Sequence, residues 1–216
     1  MALSTFAGLK AAFLDYLADS SLSSSFQNDC FTLAESRIWY GSEGRDVPFP
    51  SSALRARQMI TREDMTVDAE FEDLPTLFLA PVKLQISGYK PLDLLTEDQM
   101  AFTYSNATAA LPRAYSVVGT QYKFGPPPDT SYTVAHTYFA KPAALSADGD
   151  TNWLMSASPG VYLYGALLEA NIFLQDTDEA QKWYGAFVGA INGLNQTLMM
   201  SKMSSSMQPR TLGNKP

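Results

Sequence analysis

The only histidine of this 216-residue chain, His136, is the side chain on which a Ser-His-Asp or Cys-His mechanism would have to depend. It shares alternate positions with Tyr132, Val134 and Tyr138, which is the spacing of residues on one face of a β-strand. That regular setting favours a packed or surface histidine over a catalytic one. A small hydrolase that uses His136 is therefore our third functional hypothesis, behind two structural ones.

The only cysteine, Cys30, excludes an intramolecular disulfide and a zinc site built from cysteine pairs. The sequence places Cys30 in the first turn of a helix, where the helix dipole can favour a thiolate. Beside Phe31 it is also a small apolar residue suited to a core. We expect the thiol to be inert.

Asp148, Gly149 and Asp150 imitate the start of a calcium-binding loop, in which oxygen ligands occupy alternate positions. The glycine is misplaced for such a loop, and Pro159 stands at the twelfth position. These residues therefore favour a turn that leads into a helix. Since the sequence also contains no phosphate-binding, dinucleotide-binding or HExxH motif, it predicts no catalytic residue, no cofactor and no metal site.

The composition is short of charge. Charged residues make up 17% of the chain, against about 25% in typical soluble domains, and 46% of the residues are hydrophobic. This shortage predicts that part of the surface is covered by other proteins. The net charge of -7 argues against wrapping of nucleic acid, which requires a basic face. We expect no signal peptide, because Lys10 lies inside an apolar periodic stretch instead of before an apolar block. We expect no membrane span, because the longest uncharged run contains Asn192, Asn195 and Gln196.

The first and last thirds of the chain have helical periodicity. Apolar spacing and capping residues predict two helices in the first third, from Ser4 to Leu17 and from about Phe31 to Tyr40, the second capped by Asn28 or Asp29. A short helix is predicted after a cap at Ser51 or Ser52. In the last third, one helix is predicted from Pro159 to Leu174 and a last one after a cap at Asp176 or Thr177. On the last helix, apolar residues form a sustained heptad seam of Ala180, Tyr184, Phe187, Ile191, Leu194 and Leu198.

The middle third reads as strands. Met65–Phe71 and Leu77–Ile86 are predicted strands, and Thr96 with Gln99 forms a capping box for a short helix. Gly119-Thr120 predicts a hairpin turn. The long strand that carries His136 is expected to pair with the strand before it, Gln121–Phe124.

The order of elements predicts an α+β fold in which N- and C-terminal helices form a helical bundle with a β-rich insertion in the middle. The predicted division is 1–62 and 151–203 for the bundle, 63–150 for the insertion and 204–216 for a flexible C-terminal tail.

Gly185, Gly189 and Gly193 recur every four residues on the last helix, on a strip nearly opposite the heptad seam. Glycine costs about 1 kcal/mol relative to alanine inside a helix, so three on one face suggest a packing reason. Two interpretations remain open. The helix is buried between two others of its own chain, or the strip admits close approach by a neighbouring subunit.

The order and spacing of several short segments resemble those of head-tail adaptor proteins of tailed bacteriophages, which are also called head completion or connector proteins. The resemblance extends to the last helix and is carried by Phe6–Lys10, Phe31–Ile38, Leu74-Pro75, Pro91-Leu92, Pro126–Asp129 followed by Tyr132, Leu145-Ser146, Thr151–Leu154 and Pro159–Ala170.

The resemblance implies a structural virion protein of the neck, assembled in the host cytoplasm, without a cofactor or a reaction. It implies a homo-oligomeric ring, commonly of twelve subunits, that lies below the portal protein and leads to tail proteins. Genomic DNA would pass through the channel without specific binding. The alternative is another tail or neck component, such as a tail tube, tail terminator or receptor-binding protein.

The charge is unevenly distributed along the chain. From Ala180 onward there are four basic residues and no acidic one, so this part carries +4 and residues 1–179 carry -11. We expect the basic end, with Lys202, Arg210 and Lys215, to dock on an acidic surface of the portal and to become ordered there.

Overall fold

Helices occur at both ends of the chain and strands in its middle. The computed structural model describes residues 3–42 and 48–203, and its elements are α1 (Phe6–Leu17), α2 (Ser24–Tyr40), a 3-10 turn (Arg57–Met59), β1 (Ile60–Val67), β2 (Phe71–Asp73), β3 (Phe78–Ile86), β4 (Asp93–Leu94), α3 (Glu97–Tyr104), β5 (Ala114–Val118), β6 (Gln121–Gly125), β7 (Tyr132–Ala140), α4 (Trp153–Ala157), α5 (Pro159–Phe173) and α6 (Thr177–Met203).

These elements form two compact units. The helical unit comprises the residues up to Gln58 and those from Pro142 onward, and the sheet unit comprises Met59–Lys141.

In the helical unit, α5 is the central element. Its sequence is apolar around most of the circumference, and Pro159 begins the helix, where its missing N–H costs no hydrogen bond. The helices α1, α2, α4 and α6 all pack against it. The core around α5 therefore contains fully buried side chains from several helices, including Phe6, Phe13, Ile38, Tyr162, Leu167 and Phe187.

The predicted bundle of N- and C-terminal helices is wrong. The chain is α+β with a central β-rich region, but its N-terminal helices are followed by strands, and the described residues form no terminal-helix bundle. The helices instead gather on α5, which contacts each of the others in this unit. The apolar periodicity of a helix shows which face is buried, but it does not distinguish a shared bundle axis from one central helix.

Two local predictions in the first third are also wrong. Helix α2 begins at Ser24, about seven residues earlier than expected, because the hydroxyl of Ser23 accepts a hydrogen bond from the N–H of Phe26 at 3.2 Å. The segment after Ser51 has no regular secondary structure before the 3-10 turn. Ser51 pairs its backbone with Ser42 instead of capping a helix.

The sheet unit contains two small sheets. One has the strand order β1-β7-β3, and the other has the order β2-β6-β5-β4. Both contribute to one apolar core of buried residues, which contains Val67, Leu84, Ile86, Leu92, Tyr115, Tyr122, Phe124 and Val134.

Strand β7 does not pair with β6 as predicted. It lies between β1 and β3 and pairs antiparallel with both. The strand has nine residues, β1 and β3 have eight and nine, and β6 has only five. The longer partners can satisfy the backbone groups of β7 along its whole length.

The turn predictions for the middle of the chain are confirmed. The Thr96 hydroxyl accepts from the N–H of Gln99, and the Gln99 side chain accepts from the N–H of Thr96, so the capping box of α3 is complete. Strands β5 and β6 form the predicted hairpin, with Gly119 at φ +60° in the turn.

Candidate functional site

His136 lies in the core of the sheet unit on the central strand β7. Its Nε2 is 2.7 Å from the hydroxyl oxygen of Tyr122, and its ring stacks on Tyr138 with the centroids 4.4 Å apart. The Glu63 carboxylate is 3.9 Å from Nδ1. Burial lowers the pKa of the imidazole below its usual value, so the ring is neutral at pH 7. Because the side chain is fully buried, no substrate reaches either nitrogen, and the geometry is that of a packed core histidine.

Cys30 is the seventh residue of α2 and does not lie in its first turn. The helix dipole acts mainly on the first turn, so it does not acidify this thiol. Burial instead raises the pKa of Cys30 to about 12. The protonated side chain packs in the core of the helical unit, as the sequence suggests.

The loop that resembles a calcium site holds the start of α1. The Asp150 carboxylate accepts hydrogen bonds from the N–H groups of Ser146 and Ala147 at 2.8 and 2.7 Å, and the Asp148 carboxylate forms an ion pair with Lys10. The backbone carbonyl of Asp150 also accepts from the N–H of Phe6 at 3.0 Å. The hydrogen bonds that the carboxylate accepts from Ala147 and Ser146 lower the pKa of Asp150. Among the described residues, no group of three or more His, Cys, Asp or Glu side chains could hold a metal ion.

Two faces of α6 are used within the chain. One face packs on α5 through the buried residues Ala180, Phe187 and Ile191 of the predicted seam. A second face contacts the segment 50–55, because the Asn195 side chain accepts from the N–H of Arg55 at 2.6 Å and donates to the carbonyl of Ala53 at 3.2 Å. The hydroxyl of Tyr184 donates to the carbonyl of Pro50 at 2.7 Å.

The third face of α6, which we call the glycine face, is formed by Gly185, Gly189 and Gly193. All three residues are exposed, and a Cβ atom added to any of them would have nothing within 4 Å. The chain's own described residues therefore do not explain these glycines, because no helix in the described part of the chain covers this face. No charged residue lies on α6 between Lys182 and Lys202.

An aromatic groove opens at one end of the helical unit. It encloses about 680 Å³ and is lined by apolar residues from α1, from the end of α5 and from α6, together with polar ones: Tyr16, Leu17, Asn171, Leu174, Asp176, Glu179, Lys182 and Trp183. The rings of Tyr16 and Trp183 are 5.6 Å apart. Beside the groove, Phe173 is 70% exposed. Such an exposed apolar surface is typical of a protein interface.

No sequence motif predicts this groove. The available signal was the apolar sequence of α5, which continues through Phe173 and Leu174 to the last turn of the helix. Apolar side chains at the end of a central helix remain exposed where the neighbouring helices no longer cover them.

The predicted docking residues are only partly within the described structure. Lys202 lies in α6, but its side chain is outside the described part of the chain, as are Arg210 and Lys215. Their role stays a prediction.

The molecule thus combines packed, inaccessible candidates for chemistry with uncovered faces suited to contact with other proteins, which is the character of a structural assembly protein. The family of SU10 adaptor proteins matches residues 4–211, and the chain belongs to this family. It is therefore a phage adaptor protein, a class of structural virion components that interact with other head and tail proteins. No curated protein matches the chain. No described helix is long and apolar enough to cross a membrane.

Proposed function

We propose that this adaptor forms a ring below the portal, joins the capsid to the tail and lets the genome pass. The observation that carries the proposal is the glycine face of α6. Three exposed glycines cost helix stability without serving any described contact within the chain, so a neighbouring subunit is their best explanation. Gly189 lies at the centre of this face and is the position at which subunits would approach most closely.

Light scattering after size exclusion tests this packing, with the full chain alone and with purified portal protein. We expect Gly189→Leu to reduce ring formation on the portal by at least tenfold, because the added side chain keeps the two backbones apart. Gly149→Leu is the matched control, since Gly149 is also exposed with open space around it but lies in a loop. Equal assembly of wild type and Gly189→Leu would contradict the proposal.

We further propose that the basic C-terminal end binds an acidic surface of the portal. Lys202, Arg210 and Lys215 have no acidic neighbour in the sequence after Ala180, so their charge is available to a partner. Removal of the residues after Met203 should abolish portal binding, while the circular dichroism spectrum and the melting temperature stay unchanged. Portal binding by the truncated chain would contradict this proposal.

The negative charge of the rest of the chain supports passage of DNA. Residues 1–179 carry -11, and an acidic channel wall repels phosphate, whereas a basic wall would retain it. The chain is thus proposed to guide DNA without binding it.

A further inference from the structure

A second groove lies in the sheet unit, beside the edge of the four-stranded sheet. It encloses about 460 Å³ and is lined by two short segments, Tyr89–Asp93 and Leu111–Arg113. Tyr89 is 54% exposed, so its aromatic ring is available for contact. Leu92 and Pro112 are buried and form the apolar base of the groove.

The groove contains two cationic side chains. Lys90 and Arg113 are both exposed, and neither forms an ion pair with another residue in the described part of the chain. The sheet unit as a whole has ten acidic and six basic residues, for a net charge of -4. By contrast, Lys123 lies 3.8 Å from the Glu70 carboxylate. Two unpaired cations in one groove of an acidic unit indicate a negatively charged partner.

An open strand edge borders the groove. Strand β4 is the edge of its sheet, and the N–H groups of Asp93 and Leu95 donate to the carbonyl oxygens of Arg113, just before β5, and Tyr115, within β5, at 3.0 and 2.9 Å. Since successive residues of a strand point their backbone groups to opposite sides, the N–H and C=O of Leu94 face away from β5. Leu94 is also 57% exposed. An extended segment can therefore add its backbone to this edge.

We infer that this groove binds an extended segment of another virion protein in which acidic and apolar side chains alternate. The backbone of the segment pairs with Leu94, an apolar side chain packs on Tyr89, and a carboxylate lies between Lys90 and Arg113. Nucleic acid fits this site less well, because the open edge at Leu94 offers a backbone N–H and C=O that a polypeptide backbone can pair with and a sugar-phosphate backbone cannot. The inference does not depend on ring formation.

The test uses the full chain, with isotope labels for nuclear magnetic resonance, and two peptides. One is acetyl-Gly-Leu-Glu-Leu-Glu-Gly-amide, and the other has lysine in place of both glutamates. We expect the glutamate peptide to shift the backbone amide signals of the non-proline residues in 89–95 and 111–115, and the lysine peptide to leave them unchanged.

Paired variants locate the effect. Lys90→Glu with Arg113→Glu should weaken binding of the glutamate peptide about tenfold or more, because two attractions become repulsions. Arg62→Glu with Lys83→Glu makes the same change of charge at exposed positions of the other sheet and should change binding less than twofold. Circular dichroism of both double variants checks that they are folded.

Several results would overturn the inference. These are absence of binding at millimolar glutamate peptide, equal binding of the lysine peptide, or equal weakening by the two double variants. Tighter binding of a ten-nucleotide oligothymidine than of the glutamate peptide would assign the groove to nucleic acid. The same shifts with free glutamate at equal concentration would indicate a site for small anions only.

Discussion

Helices α5 and α6 pack against each other and both contain glycine, but their glycines have opposite surroundings. A Cβ atom on Gly165 of α5 would lie 3.0 Å from the Cβ of Ala34 and 3.2 Å from Cε2 of Phe187. A Cβ atom on Gly189 of α6 would meet nothing within 4 Å. Gly165 is therefore explained by packing within the chain, whereas no residue in the described part of the chain contacts the corresponding position at Gly189. The same residue type thus marks an intramolecular contact in one helix and an uncovered surface in the next.

The largest change in the free energy of unfolding is expected for a substitution at Gly165. Gly165→Leu should lower the free energy of unfolding by about 3 kcal/mol, because the larger side chain overpacks the contact of α5 with α2 and α6. Urea denaturation measures the change. Gly165→Ala is the matched smaller substitution and should lower the free energy of unfolding by less. If Gly165→Leu were as stable as wild type, the two helices would not differ in the way their glycines indicate.

A smaller loss of stability is expected when the ion pair between Arg37 of α2 and Glu169 of α5 is broken. The Glu169 carboxylate accepts from Nε of Arg37 at 2.6 Å, and both side chains are nearly buried. Glu169→Gln should cost about 2 kcal/mol in urea denaturation, because it leaves the Arg37 charge in the interior without its counter-ion.

The control for this substitution is the ion pair of α6. Glu179 and Lys182 are 3.1 Å apart at closest approach, and both are exposed. Glu179→Gln should therefore cost no more than about 0.5 kcal/mol. Equal costs for the two substitutions would mean that α5 is no better shielded from water than α6.

The smallest change in the free energy of unfolding, which is a gain in stability instead of a loss, is expected for a substitution on the glycine face. Gly189→Ala should raise the free energy of unfolding of the isolated chain by up to about 1 kcal/mol, because alanine is the better helix former and its Cβ has open space. Thermal unfolding followed by circular dichroism measures the change. A loss of stability would show that this face is covered within the chain.

Local sequence patterns predict the structure correctly where it depends only on residues that are close in the sequence. The capping box of α3 and the turn at Gly119 need only residues within a few positions of each other, so both could be predicted. The seam of α6 also places its buried residues correctly, because helical periodicity is a local property.

Local sequence patterns do not predict the structure correctly where distant segments compete for the same partner. Strand β7 has an alternating pattern that fits pairing with any long strand, and in the structure it pairs with the two long strands β1 and β3. The start of α2 is ambiguous in the sequence because Ser23, Asn28 and Asp29 are all good caps, and the structure uses Ser23.

The two grooves could not be predicted for a related reason. Each is lined by residues from separate segments, such as Tyr89 and Arg113 in the sheet unit or Tyr16 and Trp183 in the helical unit. No spacing in the sequence brings these residues together.

The sequence by itself determined the α+β class, the membership in a phage adaptor family and the position of the glycine repeat, because each depends on residue types and their order. Only the tertiary structure decided that the helices gather on α5, that His136 is enclosed in a core and that the glycines of α6 are uncovered. Burial and exposure depend on which distant segments fold over a residue, and that information is distributed over the whole chain.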